Sequence, residues 1–170
     1  MSILFAVAAV VSLILVIPEI NNYIEFYKGI QNFQILLESI TINNTRIDEG
    51  QVFIMVNFEA TNPSGFVGLT ISSVTCQLKY VKDGLLQSLA GITQTFSPPT
   101  EVNPPQSVIV CVDFDLEYKG HDNLIRNFIG YLQTNPEKMD WIVTGQFIIR
   151  AYADVFPIQI GPFQHSTYLH

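Results

Sequence analysis

QVFIMVNFEATNPSGFVGLTISSVTCQLKYV, residues 51–81, sets two alternating apolar runs on either side of an Asn-Pro-Ser-Gly corner. In the first run Val52, Ile54, Val56, Phe58 and Ala60 share one face. In the second, Val74, Cys76, Leu78 and Tyr80 share a face, and Thr75, Gln77 and Lys79 point the other way. A repeat of two is the side-chain period of a strand, so both runs predict half-buried strands. The corner between them is not a glycan acceptor, because proline fills the middle of Asn62-Pro63-Ser64. Its reading is structural. Pro63 has no N–H to extend a ladder and pushes Asn62 toward extended dihedrals. The Asn62 side chain can close an Asx-turn, and Gly65 and Gly68 supply backbone freedom. Asn62, Pro63 and Gly65 are therefore the predicted turn residues, carrying the chain from one strand to the next and between sheets.

Outward from this stretch the same period continues. FQILLESITI (33–42) predicts a first strand, and NNTRIDEG (43–50) predicts a turn-rich connection. KDG (82–84) predicts a tight hairpin into LLQSLAGITQTF (85–96). SPPTEVNPPQ (97–106) is read as a loop because of its prolines. SVIVCVDFDLEY (107–118) has the clearest alternation, with Val108, Val110, Val112, Phe114 and Leu116 on one face. Residues 120–135 change period: Leu124, Ile125, Phe128, Ile129 and Leu132 recur at helical spacing, with Asp122 as N-cap and Pro136 as the stop. DWIVTGQFIIRAYADVFPIQI (140–160) returns to strand, bending at Pro157 or Gly161-Pro162. Six or seven short strands with one late helix predict a mostly β, antiparallel sandwich.

The N-terminus has a different composition. Residues 3–17, ILFAVAAVVSLILVI, contain one polar side chain, Ser12, and no charge precedes Glu19. An apolar stripe at helical spacing continues through Ile20, Tyr23, Ile24, Phe26, Tyr27 and Ile30. A cleaved signal peptide would need a basic n-region, but the first basic residue is Lys28. A buried core helix is the other alternative, since a run of this length fits a core. The expectation adopted is an uncleaved transmembrane anchor over residues 1–31, followed by a sandwich domain over 32–170. Tyr23, Phe26 and Tyr27 are its membrane-interface candidates, the residue types that settle at the lipid–water boundary. With this goes a single-pass membrane location with the C-terminal domain extracytoplasmic.

The net charge is −7, and the charged fraction of 14% lies below the roughly 25% of soluble domains. The eight basic residues are scattered, which excludes the clustered cations that nucleic acid requires. Asn43-Asn44-Thr45 is a valid glycan acceptor in a predicted turn, so Asn43 is the glycosylation candidate. Cys76 has a core phase and Cys111 a solvent phase, so two free thiols are expected rather than a bridge. Asp113, Asp115 and Glu117 form a carboxylate row too widely spaced to cage a cation alone. It is read as a solvated face, partnered by Lys79 or Arg150. His121, His165 and His170 lack metal-ligand spacing, and no nucleophile elbow, P-loop or dinucleotide fingerprint is present. The aromatics Phe147, Tyr152, Phe156, Phe163 and Tyr168 crowd the end of the chain, as core or as an apolar docking edge.

The ordered set VNFEATNPSGF, LTISSVTCQLKYVKDG and LLQSLAGITQTF resembles the late-embryogenesis-abundant group 2 family, whose domain is also called WHy (water stress and hypersensitive response). The resemblance spans roughly residues 33–165 and rests on Asn62-Pro63, the small-residue hairpin, Gly91, the strand at 107–118, the helix and the last strand. Where the family has a second Asn after Asn-Pro, this chain has Ser64. The resemblance implies an immunoglobulin-like sandwich with one helix, an N-terminal membrane span in many members, and no catalytic residues. The function expected is non-enzymatic and without cofactor or metal: a membrane-anchored interaction or accessory-subunit protein whose partners are the bilayer and other membrane or surface proteins. The alternatives are a lipid- or small-ligand-binding domain and a strand-donating surface-filament subunit.

Overall fold

Alternation of apolar and polar side chains becomes two antiparallel sheets in the computed structural model. It describes residues 2–118, 123–135, 139–151 and 156–168, with all of these side chains except 2–6, 8–10, 156, 167 and 168. A long helix, α1 (Ser2–Gln31), leads into β1 (Gln34–Asn43), a 3-10 turn (Ile47–Glu49) and β2 (Gln51–Thr61). After the Asn62 corner come β3 (Thr70–Lys82), β4 (Leu85–Glu101) and β5 (Ser107–Glu117), then α2 (Asn123–Thr134), β6 (Asp140–Ala151) and β7 (Phe156–Tyr168). One sheet has the order β1-β2-β5 and the other β4-β3-β6-β7. Every strand pairing is antiparallel.

The strand phases read from the sequence decide what is buried. Val52, Ile54, Val56, Phe58 and Ala60 of β2 point inward, as do Val74, Cys76, Leu78 and Tyr80 of β3. In β5 the buried set is Val110, Val112, Phe114 and Leu116. The sheets meet where the Phe58 ring stands edge-on to Phe147 and Phe163 of the opposite sheet, at 5.3 Å from each. Edge-to-face contact sets the positive ring edge against a negative face. At the other end α2 closes the sandwich. Phe128, Ile129 and Leu132 are buried, and Phe128 packs edge-on against Tyr80 at 5.2 Å and Trp141 at 5.9 Å. Leu124, from the same predicted stripe, is exposed. The Asp122 cap and the Pro136 stop lie outside the described residues.

Several expectations are corrected. The proline segment at 97–106 is not all loop, because β4 runs to Glu101. Thr95 lies opposite Ser73 and Thr100 opposite Ile71, so residues 96–99 bulge out between them. Pro98 and Pro99 sit in that bulge on an edge strand, where a missing N–H breaks no ladder. The single long strand at 140–160 is two, β6 and β7, folded back on each other.

The transmembrane anchor over residues 1–31 is also corrected, and with it the single-pass membrane location. Among the described residues no helix is long and apolar enough to cross a membrane. Along the described side chains of α1 the continuous apolar run from Leu13 stops at Pro18, and Glu19, Glu25 and Lys28 follow. The last turns of α1 then dock on the sandwich.

Gly145 shows how tightly β6 lies on β3. It stands opposite Cys76, and a Cβ there would fall inside contact distance of the Thr75 carbonyl oxygen and 3.1 Å from Cys76 Cα. Gly145→Ala must therefore push two central strands apart. The expected loss is about 2–4 kcal/mol, read as a lower urea midpoint at unchanged m-value.

Candidate functional site

Of the site residues proposed from sequence, the structure joins Asn62, Pro63 and Gly65 with the end of α1. Asn62 is wholly buried, and all its polar capacity is used inside the corner. Its Oδ1 accepts the Ser64 N–H at 3.1 Å and the Ser64 hydroxyl at 2.8 Å. Its Nδ2 donates to the Phe66 carbonyl at 2.8 Å and, more weakly, to the Val102 carbonyl at 3.4 Å. Ser64 Oγ in turn accepts the Phe66 N–H at 3.1 Å. The Asx-turn expected from sequence forms, and it also reaches across to the chain after β4. The Val102 N–H donates to the Leu69 carbonyl at 2.9 Å and closes the far side. Burying an amide without such partners would cost several kcal/mol.

The helix end docks on this corner. Gly65 N–H donates to Glu25 Oε2 at 2.8 Å, and Lys28 Nζ donates to Glu25 Oε1 at 2.7 Å. The Phe26 ring stands edge-on to Phe66 at 5.2 Å. Gly29 is buried, and a Cβ there would lie 2.7 Å from Ser64 Oγ and 3.3 Å from Asn62 Oδ1. Glycine costs about 1 kcal/mol inside a helix, which here is offset by backbone-to-corner contact. That cost is the signal that sequence reading passed over: a helical glycine marks a close approach.

The membrane-interface candidates separate. Phe26 faces the corner rather than a boundary layer. Tyr23 and Tyr27 are exposed, with rings 4.8 Å apart and the Tyr23 hydroxyl donating to Tyr27 Oη at 3.1 Å. The span they were to flank is the one corrected above.

The remaining candidates lie apart from the corner. Asn43 is exposed at the end of β1, opposite Phe53. Cys76 is a buried free thiol whose pKa burial pushes up to about 12, and Cys111 is an exposed free thiol on the other sheet. Asp113, Asp115 and Glu117 stand on the outer face of β5, opposite Met55, Phe53 and Gln51 of β2. Asp115 accepts a hydrogen bond from Gln51 Nε2 at 3.0 Å, whereas the expected partners Lys79 and Arg150 belong to the other sheet. Among the described residues no group of His, Cys, Asp and Glu could hold a metal ion. Phe147 is fully buried, and Phe163 stacks 5.4 Å from His165 inside the aromatic cluster, so both serve as core. Tyr152, His121 and His170, with the Phe156 and Tyr168 side chains, lie outside the described residues.

Two measurements probe the corner. Asn62→Ala leaves the Phe66 carbonyl and both Ser64 donors without their buried partner, so stability falls by about 2–4 kcal/mol in urea unfolding. Lys28 and the Gly65 N–H hold the Glu25 carboxyl below the usual glutamate range. A lowered folded-state pKa stabilises above the unfolded value near 4.5 and is lost as pH falls through the lowered one. The Gly65 amide proton shift is therefore expected to titrate with a midpoint below 4.5, and to lose that titration in Glu25→Gln.

No family model matches the chain, and no curated protein matches it. Among solved structures, the chain is similar to a crystal structure of a protein from Archaeoglobus fulgidus, at 17% identity and TM-score 0.47, covering 78% of this chain and 95% of that one. It is also similar to a solution structure of an Arabidopsis thaliana protein, at 12% identity and TM-score 0.47, covering 80% and 78%. A β-glucosidase 3B from Thermotoga neapolitana aligns at 14% identity and TM-score 0.30, over 81% of this chain but 16% of that enzyme.

Proposed function

We propose that the protein is a non-enzymatic accessory subunit that presents a WHy-like sandwich and joins a larger assembly through the outer part of α1. One observation carries this reading. The C-terminal turns of α1 are fastened to the sandwich, but Leu13, Ile14, Leu15, Val16 and Ile17 are all exposed. Five successive residues exceed the 3.6 of one turn, so this part of the helix is apolar all round. A helix of that kind is stable in water only when covered. Cover on every side requires several neighbouring helices, and helices of partner polypeptides meet that need.

The alternatives have less support. A ligand cleft between the sheets would compete with Phe58, Phe147 and Phe163 for the same space. Strand donation requires an open edge, and each sheet edge carries an obstacle. On β1 the register shifts around Glu38, an inserted charge. On β4 stand Pro98 and Pro99, and on β7 Pro157 and Pro162. On β5, Gln94 Nε2 donates to the Cys111 carbonyl at 3.1 Å and Gln94 Oε1 accepts the Asp113 N–H at 3.3 Å.

A photo-crosslinking amino acid at Leu15, introduced in the native host, tests the proposal. Adducts to other polypeptides are expected. Adducts to lipid alone, or a chain that stays uncrosslinked, would overturn it.

A further inference from the structure

We propose that Asn43 is a sugar-acceptor site. Asn43-Asn44-Thr45 is the single Asn-Xaa-Ser/Thr match in the chain without proline in the middle. The structure adds three observations that the motif alone does not supply. The site is at the last residue of β1 and is exposed, as are Asn44 and Thr45. The Asn43 carboxamide is already closed on the acceptor hydroxyl: Oδ1 accepts the Thr45 N–H at 3.1 Å and the Thr45 Oγ1 hydroxyl at 2.8 Å. A backbone N–H can only donate, so the accepting atom is oxygen, and Nδ2 points away without an acceptor among the described residues. Beside Asn43, a hollow of 380 Å3 lined by Thr41, Phe53, Met55 and Asp113 opens on the outer face of the sheet. Phe53 is the cross-strand partner of Asn43, so the first sugar would rest against an aromatic ring.

The chemistry follows from this arrangement. Two hydrogen bonds into Oδ1 draw electron density toward the carbonyl oxygen and make the Nδ2 protons easier to remove. The donor is a sugar with a phosphate or diphosphate leaving group at its anomeric carbon, delivered by a transferase. Nδ2 forms the bond to that carbon as the carbon–oxygen bond to phosphate breaks. The phosphate carrier leaves with the electron pair, one Nδ2 proton passes to a base on the transferase, and nothing is oxidised or reduced. The Thr45 hydroxyl is a positioning group and keeps its own proton.

The test is intact-mass and peptide mapping of the full chain from its native source. The native chain is expected above the 19.1 kDa of the polypeptide, by whole sugar units on the peptide containing Asn43. Asn43→Gln and Thr45→Ala return it to the polypeptide mass, and Thr45→Ser, which keeps the hydroxyl, retains the addition. A native chain at the unmodified mass overturns the proposal, as does sugar mapped to any other residue. The native measurement is decisive even if a variant fails to fold.

Discussion

A single buried carboxamide organises this protein. Asn62 ends β2, closes the turn through Ser64, and ties the Phe66 and Val102 carbonyls together. Two sheets that never share a ladder hydrogen bond need the chain to cross between them, and the crossing at Asn62, Ser64 and Phe66 is buried. At this crossing backbone groups are paired by one side chain with two donors and two acceptor positions. Neither aspartate nor serine supplies both, which is why the residue type matters as much as the shape of the turn.

The corner also gives α1 its dock. Glu25 finds an unpaired N–H at Gly65, Phe26 finds Phe66, and Gly29 removes the Cβ that would hold the helix away. The surface ion pair between Lys28 and Glu25 is worth little by itself. Its role is to orient a carboxylate that already has a backbone partner. The helix thus divides into a fastened end, where polar and aromatic contacts are specific, and an outer part whose apolar surface finds no cover within the described fold.

Legibility in the sequence followed the range of the forces involved. The phases of β2, β3 and β5 were readable because a period of two directly reports which side chains are buried. The Asn-Pro corner was readable because Pro63 acts on its immediate neighbour. The 83–84 hairpin was as well, with Asp83 and Gly84 both at positive φ as such a turn demands. What failed depended on partners far away in the chain. Pro98 and Pro99 look like loop residues until β4 is known to be an edge. The apolar N-terminal run looks like a span until its charged continuation is seen docked. Gln94 has no sequence signal at all, since an outward glutamine on a strand is ordinary unless another sheet's edge lies within reach.

That glutamine makes the two flanks of the sandwich unlike each other. Along the β4–β5 flank a side chain occupies the place of the next strand's backbone and stitches the layers together. Along the β1–β7 flank a gap of 300 Å3 lies between Leu36–Ser39 and His165–Ser166. The molecule is bound like a book, with a spine on one side and a fore-edge on the other. The covers are held together at Gln94 and stand apart beside His165.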